Sequence, residues 1–201
     1  MKTAEKKDLI RQAAIRTFSR KGFYNSRAEE IAQEAGIAVG TIYNYFAGKE
    51  EILLSIFKAE FEQRIKVFRQ LLKSNLSLPE RIGKMLQDHF ARLSEHGDLA
   101  ALLIQERFNP QEGFRTRLLE LYKDMIASIE GLIEEGIEKD WVRQCHPRII
   151  AYALLGVVES LSVFAITYPE EASKGILAEA PDELASFIWK GLHKESTNEA
   201  Y

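Results

Sequence analysis

The sequence predicts an all-α protein. Three observations carry this reading. No stretch of four or more residues shows convincing strand alternation. Apolar residues recur at helical spacing through most of the chain. The 5 prolines and 12 glycines fall at breaks between those segments.

The first helix is expected over 4–21, with Ile10, Ala14 and Phe18 on one stripe and Leu9 and Ala13 beside it. Gly22 suits the position after a helix end, and Phe23 the apolar fold-back that follows. Ser26 with Glu29 reads as a capping box that opens a second helix. That helix places Ala28, Ile31, Ala32 and Ala35 at i, i+3, i+4, i+7, and Gly36 ends it. A short third helix begins near Val39, and a long fourth runs from about Gly48 to Ser74. Further helices are expected over 79–95, 98–108 and 112–139. In the last of these, Leu118, Tyr122, Met125, Ile129, Leu132 and Gly136 step 4, 3, 4, 3, 4, a packing seam. A nearly all-apolar helix spans 147–167, and a final one starts just after Pro181, over 182–194.

Hydrophobic residues make up 46% of the 201, enough to bury a sizeable core. A single cysteine, Cys145, excludes a disulfide within the chain, and a reducing cytoplasm is the expected location. The first residues, MKTAEKKDLI, contain no apolar signal region. The four histidines lack the H-x-x-x-H and H-E-x-x-H spacings, and no phosphate-cradling glycine motif occurs. No enzyme, catalytic residue, metal site or cofactor is expected. Net charge is −3, but it is unevenly spread. Residues 1–50 carry nine basic and six acidic side chains, a net +3; the other 151 carry 18 and 24, a net −6. A basic head on an acidic body suggests two jobs.

Residues 149–168 hold one charge, Glu159, and match a membrane span in length. A carboxylate at mid-span costs about 2.5–3.5 kcal/mol, so no membrane partner is expected. The segment is read as a helix buried on most sides, in the core and at a subunit contact. Ala153, Gly156 and Ser160 give it a small-residue face.

The stretch 39–46, VGTIYNYF, fits a DNA-binding head, though short glycine-bearing helical turns also occur as plain packing in all-α proteins. On a helical wheel Ile42 and Phe46 point to one side, with Val39 and Tyr43 at its edge. Gly40, Thr41, Asn44 and Tyr45 face the other way, an outer surface of small and hydrogen-bonding groups. Two short helices joined by a glycine-bearing turn form a helix-turn-helix, whose second helix enters the major groove of DNA. Lys49 and Arg27, each at the start of a helix, are candidate phosphate clamps.

The run TFSRKGFYNSRAEEIAQEAGIAVGTIYNYFAGKEEIL resembles the DNA-binding domain of the TetR family of bacterial transcriptional regulators, over roughly residues 8–55. The resemblance implies DNA contacts at Arg27, Ala28, Val39, Gly40, Thr41, Tyr43, Asn44, Tyr45 and Lys49. Tyr43, Tyr45, Thr41 and Lys49 would hold phosphates, and Val39, Gly40 and Asn44 would read bases. Val39 departs from members with a polar side chain there; it can touch a thymine methyl but not hydrogen-bond.

The same resemblance implies a homodimer and a larger helical domain that binds a small inducer. The domains would be 1–47 (DNA-binding) and 48–201 (ligand-binding and dimerisation). Ala153, Gly156 and Ser160 with the Trp189 helix would form the dimer contact. Residues 88–109 and 114–140 are similar, more loosely, to the FadR-type branch, which senses long-chain acyl-coenzyme A. That likeness implies an acyl chain among Phe90, Leu93, Leu103, Phe108, Tyr122 and Met125, together with Tyr152, Leu155 and Phe164. Arg107, Arg115 and Arg117 would hold its phosphates. The expectation is a dimeric repressor on palindromic operator DNA, released by a small apolar effector such as acyl-coenzyme A. Two alternatives stay open: a regulator of an efflux pump that senses hydrophobic drugs, and a helical carrier or protein-interaction module that binds no DNA.

Overall fold

The computed structural model describes residues 3–194. The elements are α1 Thr3–Lys21, α2 Ala28–Ala35, α3 Val39–Tyr43, α4 Lys49–Leu72, α5 Leu78–Glu95, α6 Gly97–Glu106, α7 Glu112–Glu138 and α8 Pro147–Thr167. A single turn α9 (Pro169–Glu171), a π turn (Ala172–Ile176) and α10 (Leu177–Leu192) follow. The fold is all-α, as predicted. Extended pairing among the described residues is one isolated bridge, Val142 with His193.

The chain packs as two compact units. The first comprises Met1–Gln63 and His96–Tyr122, the second Arg64–Glu95 and Lys123–Tyr201. Helices α4 and α7 each contribute to both, and the boundary expected after residue 47 falls inside the first unit.

In the first unit the stripe of α1 is buried at Ile10, Ala13, Ala14 and Phe18, as its spacing requires. The chain leaves α1 through Gly22 at φ +77, where glycine carries no side-chain penalty. Phe23 then folds back edge-on to Phe18, ring centroids 5.3 Å apart. Helices α2 and α6 both pack on α1. From α4, Phe57 and Phe61 meet Phe114 and Tyr122 of α7 edge-to-face, at 5.7 and 4.9 Å. Of these, the buried Phe57, Phe61 and Phe114 each contribute about 1.5–3 kcal/mol.

The capping box is displaced by one residue from the expected Ser26–Glu29. Ser26 is buried and its hydroxyl donates 2.7 Å to the Gly22 carbonyl, so it serves the end of α1. Arg27 takes the N-cap position, and its backbone N–H donates 3.1 Å to the Glu30 carboxylate.

In the second unit α5 buries Leu78, Ile82, Leu86, Phe90 and Leu93, and α10 packs against it. Arg81, also buried, donates to the carbonyls of Leu76 (2.9 Å) and Ser74 (3.1 Å), which satisfies the turn leaving α4. Gly136 lies so close to Val142 that a Cβ would sit 2.6 Å from a Val142 methyl. On α7 the expected seam is buried at Leu118 and Leu132, with Ile126 and Ile133 completing it.

Two expectations for this unit are corrected. The last helix starts at Leu177, not after Pro181. Pro181 lies near its start and forgoes one backbone bond; the real break is Lys174–Gly175, with Gly175 at φ +104. Helix α8 is not buried on most sides within one chain, since 17% of its most apolar 18-residue window is buried. Ile149, Tyr152, Ala153, Gly156, Ser160 and Val163 form a continuous exposed stripe. An all-round apolar sequence does not distinguish burial in a core from an apolar face left open.

Candidate nucleic-acid interface and effector-binding residues

The interface is built from α2, a turn and α3. Gly36, at φ +65, ends α2 in the left-handed region, and Ile37 N–H closes back on the Ala32 carbonyl at 3.0 Å. The chain thereby reverses within three residues into α3. Ile42 is wholly buried and Phe46 nearly so, and they anchor α3 from behind. The third helix, expected over 39–46, is regular to Tyr43. Asn44–Phe46 continue as a turn in which Tyr45 and Phe46 N–H both bond the Ile42 carbonyl at 2.9 Å.

The outer face carries the groups expected to meet DNA. Gly40, Tyr43 and Asn44 are exposed, and Val39, Thr41, Tyr45 and Ala28 are half-buried. Tyr43 is 55% exposed, ample for its hydroxyl to reach a phosphate. Arg27 is exposed beside them at the start of α2. Lys49 differs. Its ammonium donates to the carbonyls of Phe23 (2.9 Å), Tyr24 (3.0 Å) and Ser26 (3.1 Å), and it sits 4.7 Å from the Phe23 ring centroid.

Charge in the head is also used differently from the expectation. Lys21 pairs with Glu30 at 2.6 Å, and Arg16 and Arg20 both pair with Glu34 at 2.7 Å. These bonds hold Glu30 and Glu34 below the usual carboxylate range, first through Lys21 and first through Arg16 respectively. Three of the basic residues that make the head positive therefore tie α1 to α2.

Tyr24 escaped the sequence reading. Its hydroxyl donates 3.3 Å to the Asn109 side-chain carbonyl, and Asn109 is itself buried and bonded to Glu106 at 2.7 Å. The partner lies 85 residues away, so no local signal marks it.

The candidate effector residues divide between the units. In the first, Leu103 and Tyr122 are half-buried, and Arg115 and Arg117 are exposed. Phe108 is 79% exposed, with the Arg107 guanidinium over its ring at 4.6 Å. Arg117 lines a cleft of about 340 Å³ with Lys7, Arg11, Phe46, Leu54 and Lys58. In the second unit Phe90 and Leu93 are buried, Met125, Leu155 and Phe164 half-buried, and Tyr152 exposed. His89, next to Phe90, was not singled out by sequence. Its Nε2 lies 2.8 Å from the Ser162 hydroxyl, which itself donates to the Val158 carbonyl. Burial, with Arg64 and Arg92 nearby, pushes His89 down to about 3, so the ring is neutral and donates from Nε2. Of the candidate dimer residues, Ala153, Gly156 and Ser160 are exposed, while Trp189 is half-buried with its ring centroid 5.6 Å from that of His193. Phe187, unremarked in the sequence, is 67% exposed on the same helix.

A buried-back, polar-front helix set by a glycine turn on a three-helix head defines a helix-turn-helix regulator of transcription. Residues 10–56 match the family described as bacterial regulatory proteins, tetR family, and residues 75–163 match the tetracyclin repressor-like C-terminal domain. The chain belongs to the TetR family, whose members are regulators and not enzymes. It is 25% identical over 187 residues to the fatty acid metabolism regulator protein of Bacillus subtilis, covering 92% of this chain and 95% of that one. The crystal structure of FadR from Bacillus subtilis in complex with stearoyl-CoA matches with a TM-score of 0.81 at 25% identity, over 92% of this chain and 98% of that one. FadR from Bacillus halodurans has the same fold, with a TM-score of 0.81 at 23% identity, over 96% of this chain and all of that one.

Proposed function

We propose that this protein is a homodimeric repressor that grips a palindromic operator through α3 and is released by a long-chain acyl-coenzyme A. The observation that carries the effector is the likeness, over nearly the full length of both chains, to a regulator whose crystal structure holds stearoyl-CoA. Arg117, which shares its cleft with Lys7, Arg11 and Lys58 and with Glu51 and Glu62, is a candidate for the phosphates. The dimer is supported by the α8 stripe, where Gly156 and Ala153 allow close approach and Ile149 and Tyr152 gain by leaving water. A regulator of DNA also belongs in the cytoplasm.

Melting curves with oleoyl- and stearoyl-coenzyme A test the effector, with free fatty acids and hydrophobic drugs as the other arms. At a concentration about a hundred times the Kd, the true effector stabilises by about 2.7 kcal/mol. It should also release a gel-shift complex formed on the DNA upstream of the protein's own gene. Stabilisation by drugs and not by acyl-coenzyme A would replace this effector with a drug.

A further inference from the structure

We infer that Lys49 acts as an internal cation that locks the start of α4 to the turn between α1 and α2, and so sets the pose of the recognition helix. It is a positioning residue for DNA binding and not a ligand of the DNA backbone. An ammonium has three N–H donors and no more. Here three carbonyl oxygens, those of Phe23, Tyr24 and Ser26, converge on it within 3.1 Å. The ammonium also lies over the Phe23 ring, 4.7 Å from its centroid. A phosphate would have to win a donor away from this set.

The surroundings disfavour such a phosphate. Glu50 and Glu51 occupy the first turn of α4, and the Glu51 carboxylate accepts the Ala47 N–H at 2.5 Å. An anion at this helix start meets two carboxylates, which oppose the attraction of the helix end. The carbonyls, by contrast, belong to the segment between α1 and α2, outside any helix; that of Phe23 also accepts the Ser26 N–H at 3.3 Å, and Lys49 supplies the donor for those of Tyr24 and Ser26.

The mechanical consequence follows from the order of the chain. Tyr43 ends α3, and α4 begins six residues later at Lys49. Ile42 and Phe46 hold α3 from behind, and Lys49 fixes the far end of the connecting turn to residues 23–26. The reading helix is thus held between two fixed points. Losing the second leaves every DNA-facing side chain present but loosely aimed.

The test compares the full-length protein with Lys49→Met, Lys49→Arg and Arg27→Ala. Melting is measured without DNA, and affinity for an operator fragment is measured across salt concentrations. Lys49→Met should lower the melting temperature by several degrees. It should weaken binding about tenfold at every salt concentration, leaving the slope of log affinity against log salt unchanged. Lys49→Arg should not rescue either property, because a planar guanidinium cannot aim three N–H groups at one converging set of carbonyls. Arg27→Ala, the control, should reduce the slope by about 0.9 per subunit and leave melting alone. A slope reduced by that amount in Lys49→Met with unchanged melting would overturn the inference. So would Lys49→Arg binding and melting like the parent. The affinity arm rests on the proposed operator binding; if the parent binds no DNA, that reading fails by itself and the melting arm still decides the lock.

Discussion

Helices α3 and α8 both present an open face, and the two faces are chemically opposite. The face of α3 is a glycine and a tyrosine hydroxyl on a helix of five residues, with an asparagine just past its end, held by two buried side chains. The face of α8 is an isoleucine, a tyrosine ring, an alanine, a glycine, a valine and a single serine along 21 residues. A short polar face can pair its groups only with another surface rich in donors and acceptors, which duplex DNA supplies. A long apolar face gains by meeting a copy of itself. Exposure in one chain thus fits the two partners proposed above, duplex DNA for α3 and a second copy for α8, and the chemistry of the exposed atoms tells the two faces apart.

The strongest way to break this comparison is to charge the α8 face. Gly156→Glu should abolish the proposed dimer, since an unpaired carboxylate at an apolar contact costs several kcal/mol. Sedimentation should report a monomer, and operator affinity should fall by more than a hundredfold while helicity is kept. A dimer that survives would move the contact off α8. Removing the anchor of the α3 face comes next. Ile42→Ala should destabilise by about 2–5 kcal/mol, because Ile42 is wholly buried. Denaturant melts should show this, with DNA binding lost in parallel.

A control on neither face sharpens the contrast. Gly136→Ala should cost about 1–3 kcal/mol by overpacking against Val142 and leave the salt dependence of DNA binding untouched. The smallest effect at neutral pH belongs to His89. Its folded value of about 3 lies below the ordinary 6.5, so between those limits the unfolded chain holds a proton that the folded one lacks. Stability should fall as pH drops through that window, by about 2 kcal/mol from pH 6.5 to 5. His89→Gln, which keeps a donor toward Ser162, should flatten that limb; urea titrations at pH 5 and 7 measure it.

What could be read from the sequence was local. The periodicity of α1, the glycine that ends α2 and the buried back of α3 each depend on residues within one or two turns, so spacing reveals them. The parts that stayed hidden depend on residues brought together by folding. Overlapping S-x-x-E and R-x-x-E patterns at Ser26 and Arg27 look alike until the burial of Ser26 chooses between them. Lys49 looks like a phosphate clamp until three carbonyls from 23–26 residues earlier surround it. On α10 the eye goes to Trp189, yet Phe187 holds the more exposed ring. For α8, an unbroken apolar stretch gave the helix but hid which side stays open.

The ion pairs between α1 and α2 carry a consequence for how the protein finds its target. Arg16, Arg20 and Lys21 are held by Glu30 and Glu34, so these three cations are drawn away from the backbone of arbitrary sequence. Loose, sequence-blind adhesion to the chromosome is mostly counterion release. A head that keeps three of its cations in ion pairs should shed wrong sites faster than one that leaves all of them open. Its residence on a stretch of genome then tracks the letters in the groove more than the density of DNA around it.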